Sequence, residues 1–239
     1  MILTPEQPTV ALHARNAAQS AHPELWRGLV AAWVPALGYQ GNRLLDASEH
    51  ANNLDNVGLS WNVRGVKVEK NDKPQISIQT ARFNVTKPWS MFGWVYVSSL
   101  VSKDFSSFFG LARDDAGEGV GIGVGTGNAI KVLSRGETPN QGNAISINKW
   151  HQVGLIWDGT DFSVILDGQV DYAVTPTGSG WQTVDKIRIG ALGFNGTDTY
   201  EHDNAGVFLW QHEKKAKVVA TDPLAPFRLR DDTALVTAA

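Results

Sequence analysis

The sequence predicts an all-β protein built as a two-sheet antiparallel sandwich, and three observations carry that prediction. Residues 145–174 read as a meander: His151 to Trp157 is rich in Val, Leu, Ile and Trp, Asp158-Gly159 follows, Phe162 to Leu166 returns, Asp167-Gly168 turns again, and Val170 to Val174 is a third run. Asp-Gly between apolar runs is a strong hairpin signal, because Gly accepts positive φ at little steric cost. Second, short apolar runs recur along the chain, with Gln75-Ile-Ser-Ile-Gln79 in clean alternation and Trp89 to Ser98 a strong core strand. Third, nine Trp and 24 Gly in 239 residues suit bulky strand residues joined by glycine turns.

The order of elements follows from the same signals. Residues 1–25 form an N-terminal arm restricted by Pro5, Pro8 and Pro23, with a short helix expected over Ala11 to Ala21. The domain proper, residues 26–221, opens with a strand at Leu29 to Val34. Pro35 to Asn42 is a loop, Leu44 to Asn53 a short strand entering a polar turn, and Leu54 to Lys70 holds two further runs. Phe105 to Ala112 is a strand. In Glu118 to Thr126, Gly119, Gly121, Gly123 and Gly125 fall at every second position, with Gly127 continuing the series. One face of that strand therefore has no side chains, so another backbone, a large aromatic or a ligand can approach it closely; bulky neighbours packing there are expected, and a phosphate is not, since no helix follows. Ala129 to Leu133 pairs back, and Thr138 to Gly142 is a loop. Ile187 to Leu192 is a strand, Phe194 to Asn204 a polar loop, Ala205 to Trp210 a last core strand, and Glu213 to Ala220 a short helix. Residues 222–239 form a C-terminal tail.

Composition narrows the function. A formal charge of −3 gives no basic excess for nucleic acid. The absence of cysteine excludes disulfides and thiolate metal sites. No apolar run approaches the roughly 18 residues that span a bilayer, and Met1 to Ser20 lacks the pattern of a secretion signal. Asn84-Val-Thr86 and Asn195-Gly-Thr197 match the glycosylation pattern, which matters only in a secretory pathway.

Several stretches resemble the laminin-G-like, concanavalin-A-like jelly-roll family. Gly28-Leu-Val-Ala-Ala-Trp33 resembles its opening strand, and Leu45-Asp46-Ala-Ser48 with Ala51-Asn52-Asn53 its D-x-S-G-x-G-N turn without the glycines. Trp89-Ser-Met-Phe-Gly-Trp94-Val resembles its F-S-x-x-x-W-V strand. Trp150-His151-Gln-Val-Gly-Leu-Ile-Trp157-Asp158-Gly159-Thr160 with Val164-Ile-Leu-Asp167-Gly168 resembles its most specific hairpin, and Ile187-Arg-Ile-Gly190 with Phe194-Asn-Gly196 its I-x-I-G…F-x-G. Pro23 to Gly38 and Asp222-Pro223-Leu-Ala-Pro226-Phe227-Arg228 resemble the flanks of such domains in tailed bacteriophages. The resemblance implies a virion protein, assembled in the host cytoplasm, that decorates the capsid without enzymatic activity. Its partners would be the major capsid protein and itself, as a homo-oligomer such as a trimer, with no nucleic acid and no membrane. Pro5, Pro8, Pro23, Leu25, Pro226, Phe227 and Arg228 would make the contacts, since extended segments wrap large surfaces when they order.

The alternative is a glycan-binding module of a tail or fibre protein that engages host surface glycan. Sugar binding asks for exposed aromatics beside planar polar groups, and Tyr39, Trp61, Trp181 and Tyr200 lie in or near expected loops. Trp33, Trp94, Trp150, Trp157 and Trp210 sit on apolar strands and are expected in the core. A third reading is a divergent glycoside hydrolase. Retaining enzymes with this fold need two carboxylates about 5–5.5 Å apart. Glu201-His-Asp203 supplies one Glu-x-Asp, but Ala205 and Gly206 stand where the second Glu belongs. His212-Glu213 lacks the second His of a zinc pair, and no Gly-x-Ser-x-Gly exists. No cofactor is expected. Calcium, which asks for six to eight oxygens, has only weak candidates in Asp46 and Asn52, near Asn53, and in Asp198 and Asp203, near Glu201 and Asn204.

Overall fold

The computed structural model describes residues 27–35, 39–40, 43–48, 50–55, 60–62, 65–68, 75–78, 80–99, 105–113, 118–134, 140–190 and 202–211. These residues form a two-sheet antiparallel sandwich of the jelly-roll, concanavalin-A-like kind. The arm, the tail and the helices expected at Ala11 to Ala21 and Glu213 to Ala220 lie outside the described residues.

The eight-stranded sheet runs β15 (Gln169–Val174), β14 (Phe162–Leu166), β13 (Trp150–Trp157), β8 (Trp89–Val97), β17 (His202–Trp210), β6 (Gly65–Val68) and β5 (Ser60–Asn62). β1 (Leu29–Trp33) pairs with the second half of β17, Leu29 facing Trp210 and Trp33 facing Val207. The nine-stranded sheet runs β12 (Asn140–Ala144), β11 (Ala129–Ser134), β10 (Glu118–Val124), β9 (Ser106–Arg113), β16 (Lys186–Ile189), β7 (Gln75–Ser77), β4 (Leu54–Asp55), β3 (Arg43–Leu44) and β2 (Tyr39–Gln40).

The meander folds as its sequence asks. Gly159 and Gly168 take φ of 110° and 79° at the two turns, and Asp167 takes 47°. Period-two alternation sends Val153, Leu155 and Trp157 of β13 into the space between the sheets. They meet Phe108, Phe109 and Leu111 of β9 and Val120, Ile122 and Val124 of β10 there. At one end Trp157, Phe162 and Trp181 pack with ring centroids 4.7 to 4.9 Å apart.

Neighbouring backbone, not the bulky side chains expected, makes the close approach at the glycine-rich strand. Gly119, Gly121 and Gly123 oppose Ala112, Gly110 and Ser107 of β9. A Cβ at Gly110 would sit 2.4 Å from the Val120 carbonyl oxygen, and one at Gly123 2.0 Å from that of Ser106. Backbone fills the space that side chains would need.

Several boundaries differ from expectation, Tyr39–Gln40 among them, which form β2 inside the expected loop. His202–Asn204, expected in a loop, begin β17 because they pair with Val97, Tyr96 and Val95 of β8 and with β6. Asn140–Ala144 form β12 against β11 rather than ending a loop. One edge of the sandwich is bridged by side chains. The Val132 amide of β11 donates to the Tyr172 hydroxyl of β15 at 2.8 Å. Asn143 of β12 donates through its backbone N–H (2.9 Å) and its side-chain amide to the Asp171 carboxylate of β15.

Candidate functional site

The outer face of the nine-stranded sheet carries a polar groove. Directly paired residues put their side chains on the same face, so the register defines a row across the strands. Arg43 faces Asp55, Asp55 faces Gln75, and Gln75 faces Arg188. Arg188 then faces Gly110, which faces Gly121, which faces Leu133. The polar half of this row borders a recess of about 370 Å³, lined also by Asn53, Ser77, Thr80 and Lys186. The core-facing partners alternate with the groove residues: Leu44 and Leu54 are at 2% and 0% exposure beside exposed Arg43 and Asp55.

The charges in the groove are arranged in local pairs. The Arg43 Nε donates to Asp55 Oδ1 at 3.0 Å, with both side chains well exposed. Lys186 Nζ lies 3.2 Å from Asp185 Oδ2. Arg188, at 1% exposure, donates through Nε and Nη2 to Gln75 Oε1 at 2.8 and 2.6 Å. Both bonds end on Oε1, so the Gln75 amide nitrogen is the donor left for a ligand. Planar amide, carboxylate and guanidinium groups at the rim can each hold a vicinal diol by paired hydrogen bonds.

The structure treats the expected site residues differently from one another. Trp181, expected in a loop for sugar, is 1% exposed and belongs to the core cluster, because its ring fills the end of the sandwich. Tyr39 and Trp61, also expected in loops, lie on the edge strands β2 and β5, with Tyr39 opposite Leu44 and Trp61 opposite Val66. Conversely Trp94 and Trp150, expected in the core, are only half-buried, since they alternate with Val95 and His151 and face outward. Tyr200, Asp198, Glu201, Pro5, Pro8, Pro23, Leu25, Pro226, Phe227 and Arg228 lie outside the described residues.

The calcium candidates also change role. Asp46 and Asn52 do come together, but Asp46 Oδ1 accepts from the Ala32 and Ser48 amides, both at 2.8 Å. Its Oδ2 accepts from Ser48 Oγ at 2.6 Å and the Asn52 amide at 2.8 Å. Asn52, 4% exposed, donates to the Val30 carbonyl at 2.8 Å. These hydrogen bonds bind the turn to β1. Asp203, expected on a loop, is 7% exposed within β17. Among the described residues no group of three or more His, Asp or Glu is placed to hold a metal.

A Ser-His-Asp contact chain lies at the meander. His151 Nδ1 is 2.8 Å from Asp167 Oδ2, and Nε2 is 3.0 Å from Ser146 Oγ and 3.2 Å from the Ser146 carbonyl oxygen. Asp167 Oδ1 also accepts from the Gln152 amide at 3.0 Å, and the Asp167 amide returns a bond to the Gln152 carbonyl at 2.8 Å. With the Ser146 backbone as well as its hydroxyl on the ring, the chain clasps the Asp167-Gly168 turn to the start of β13.

Arg43, Asp55, Gln75 and Lys186 line the groove and were not among the expected site residues. The signal was present in the polar members of the alternation, as in Gln75-Ile-Ser-Ile, which share a face that the apolar members leave.

No protein-family model matches the sequence, and no curated protein matches it at a significant level. Solved structures do match. A sialidase of Trypanosoma rangeli in covalent complex with 2,3-difluorosialic acid superposes with a TM-score of 0.70 at 14% identity, covering 90% of this chain and 37% of the sialidase. Botulinum neurotoxin type C, which depends on interaction with two ganglioside molecules to enter cells, superposes with a TM-score of 0.61 at 12% identity, covering 83% of this chain and 51% of the toxin chain. The binding domain of botulinum neurotoxin DC in complex with rat synaptotagmin II gives 0.62 at 12% identity, covering 82% and 51%.

The shared fold is an all-β sandwich. This chain thus spans little more than a third of the sialidase and about half of the toxin chains. The expectation of a protein without enzymatic activity is corrected by these matches. Sialidases are enzymes, and the sandwich described above overlays on part of one. The sialidase and neurotoxin structures named above carry no link to a phage.

Proposed function

We propose that this chain is a carbohydrate-binding module and that the groove between Arg43, Asp55, Gln75 and Lys186 receives the glycan. The observation that carries the reading is a recess lined by planar hydrogen-bonding groups on the outer face of a rigid sheet. Hydroxyl-rich ligands need that combination, because each ring hydroxyl both donates and accepts. The structural neighbours support the reading in a general way, since the sialidase structure holds a sialic-acid derivative and the type C neurotoxin interacts with gangliosides. The flanking motifs at Pro23 to Gly38 and Asp222 to Arg228 support a tail or fibre of a phage particle as its setting, where host polysaccharide would be the target.

A glycan array probed with the full chain tests the proposal. At least one glycan family should bind, and Gln75→Ala or Asp55→Ala should weaken that binding about tenfold, the equivalent of about 1.4 kcal/mol. Asp55 is exposed, so Asp55→Ala should move the melting temperature little, whereas Gln75→Ala also removes the acceptor of buried Arg188 and should lower it. Binding that survives both substitutions, or an array with no reproducible signal, removes the groove reading.

A further inference from the structure

The outer face of the eight-stranded sheet, on the side of the sandwich away from the groove, carries an aromatic patch with unpaired polar atoms inside it. β8 sends Met91, Val95 and Val97 into the core and Trp94 and Tyr96 outward. β13 places Gln152 opposite Trp94 and Trp150 opposite Tyr96. The four side chains therefore form two adjacent rows on one face. β17 continues the rows with Gly206 beside Trp94 and Asp203 beside Tyr96, and β6 places Lys67 beside Asp203.

Trp94, Tyr96 and Trp150 are half-buried. Tyr96 and Trp150 meet edge to face at 5.6 Å, and the Tyr96 hydroxyl is 3.4 Å from Asn148 Oδ1. Gln152 is 1% exposed, yet neither its Oε1 nor its Nε2 has a hydrogen-bond partner, and Trp94 Nε1 has none either. Folded proteins pair nearly all such atoms, and three unpaired ones side by side on an outer face ask for a reason. Packing does not supply it, since a leucine would fill the position of Gln152 without a polar cost.

We infer that this patch is a second binding site, separate from the groove, and that its ligand is a saccharide ring. Half-buried aromatic faces pack against the C–H face of a sugar and bring large apolar area at low entropic cost. The Gln152 amide offers one acceptor and a donor pair, which match two neighbouring ring hydroxyls, and the Trp94 indole N–H is a further donor. Entry of the ring displaces the covering side chains and pairs all three atoms. The inference stands on those atoms and not on the groove.

The test uses the ¹⁵N-labelled full chain and the indole N–H signals of its nine tryptophans, assigned by Trp→Phe variants. The probes are the methyl glycosides of glucose, galactose, mannose, N-acetylglucosamine and sialic acid at millimolar concentration. At least one should shift the Trp94 and Trp150 signals saturably. Gln152→Leu should weaken that binding about tenfold, as loss of a buried hydrogen-bonding pair does, without lowering the melting temperature. Trp150→Phe should weaken it too, while Asp55→Ala on the opposite face, where the side chain is well exposed, should leave it unchanged. The proposal is overturned if no probe moves these signals, if Gln152→Leu binds as the parent does, or if Asp55→Ala removes the effect.

Discussion

Both carboxylate oxygens of Asp46 are occupied, by donors from Ala32, Ser48 and Asn52, so this residue fastens a turn to the first strand. Hydrogen bonds to a charged acceptor contribute about 1.5–3 kcal/mol each when they replace water imperfectly, and they do not add in full. Asp46→Ala should therefore cost about 3 kcal/mol, read as a lower urea midpoint at constant m-value. Asp46→Asn should cost less, because the amide keeps one acceptor oxygen. The sequence displayed the cluster of Asp46, Asn52 and Asn53 but not its purpose. The donor at Ala32 lies fourteen residues upstream, and only the fold brings it to the carboxylate. The same limit hid Trp181, whose polar and glycine neighbours suggest a loop while its ring plugs the core.

At the scale of elements, the glycine strand β10 is constrained by backbone contact. Gly123→Ala would drive a methyl group into the Ser106 carbonyl, where only a shift of β9 makes room. Overpacking of this kind costs about 1–3 kcal/mol, so the variant should show a lowered urea midpoint, with the loss at the upper end because the obstacle is backbone. The bridge between β15 and β11 makes a pH prediction. Burial pushes the Tyr172 phenol above its ordinary range, with the Asp171 charge adding to the rise against the opposing Val132 hydrogen bond. The folded-state value lies above the unfolded one of about 10, so the contribution is fully present below about pH 10 and is lost as pH climbs further. Stability measured by denaturant titration should fall in that alkaline window, and Tyr172→Phe should flatten the fall. The strands themselves were legible because apolar residues alternate in them and Asp-Gly turns separate them. The first three residues of β17 were not, because His202, Asp203 and Asn204 are polar and only their partners in β8 and β6 make them strand.

At the scale of the whole molecule, two sheets enclose the main core and offer two outer faces, one with the polar groove and one with the aromatic patch. The layered architecture was readable from the meander and the run of short strands. The faces were readable only in part, since alternation says which residues leave the core but not which strands stand side by side. Arg43, Asp55, Gln75 and Arg188 come from four segments and meet only through sheet order. That order also fixes how the domain responds to tension. β1 and β17 lie antiparallel, with Leu29 opposite Trp210 and the Gln211 amide bonded to the Gly28 carbonyl at 2.9 Å. A pull applied at residues 28 and 211 loads this ladder one rung at a time, as a zip opens, instead of shearing all rungs together. Single-molecule extension through those two points should peel β1 away at low force before the sandwich yields. A chain held between two anchors at these positions would lengthen early and protect whatever it joins from sudden load.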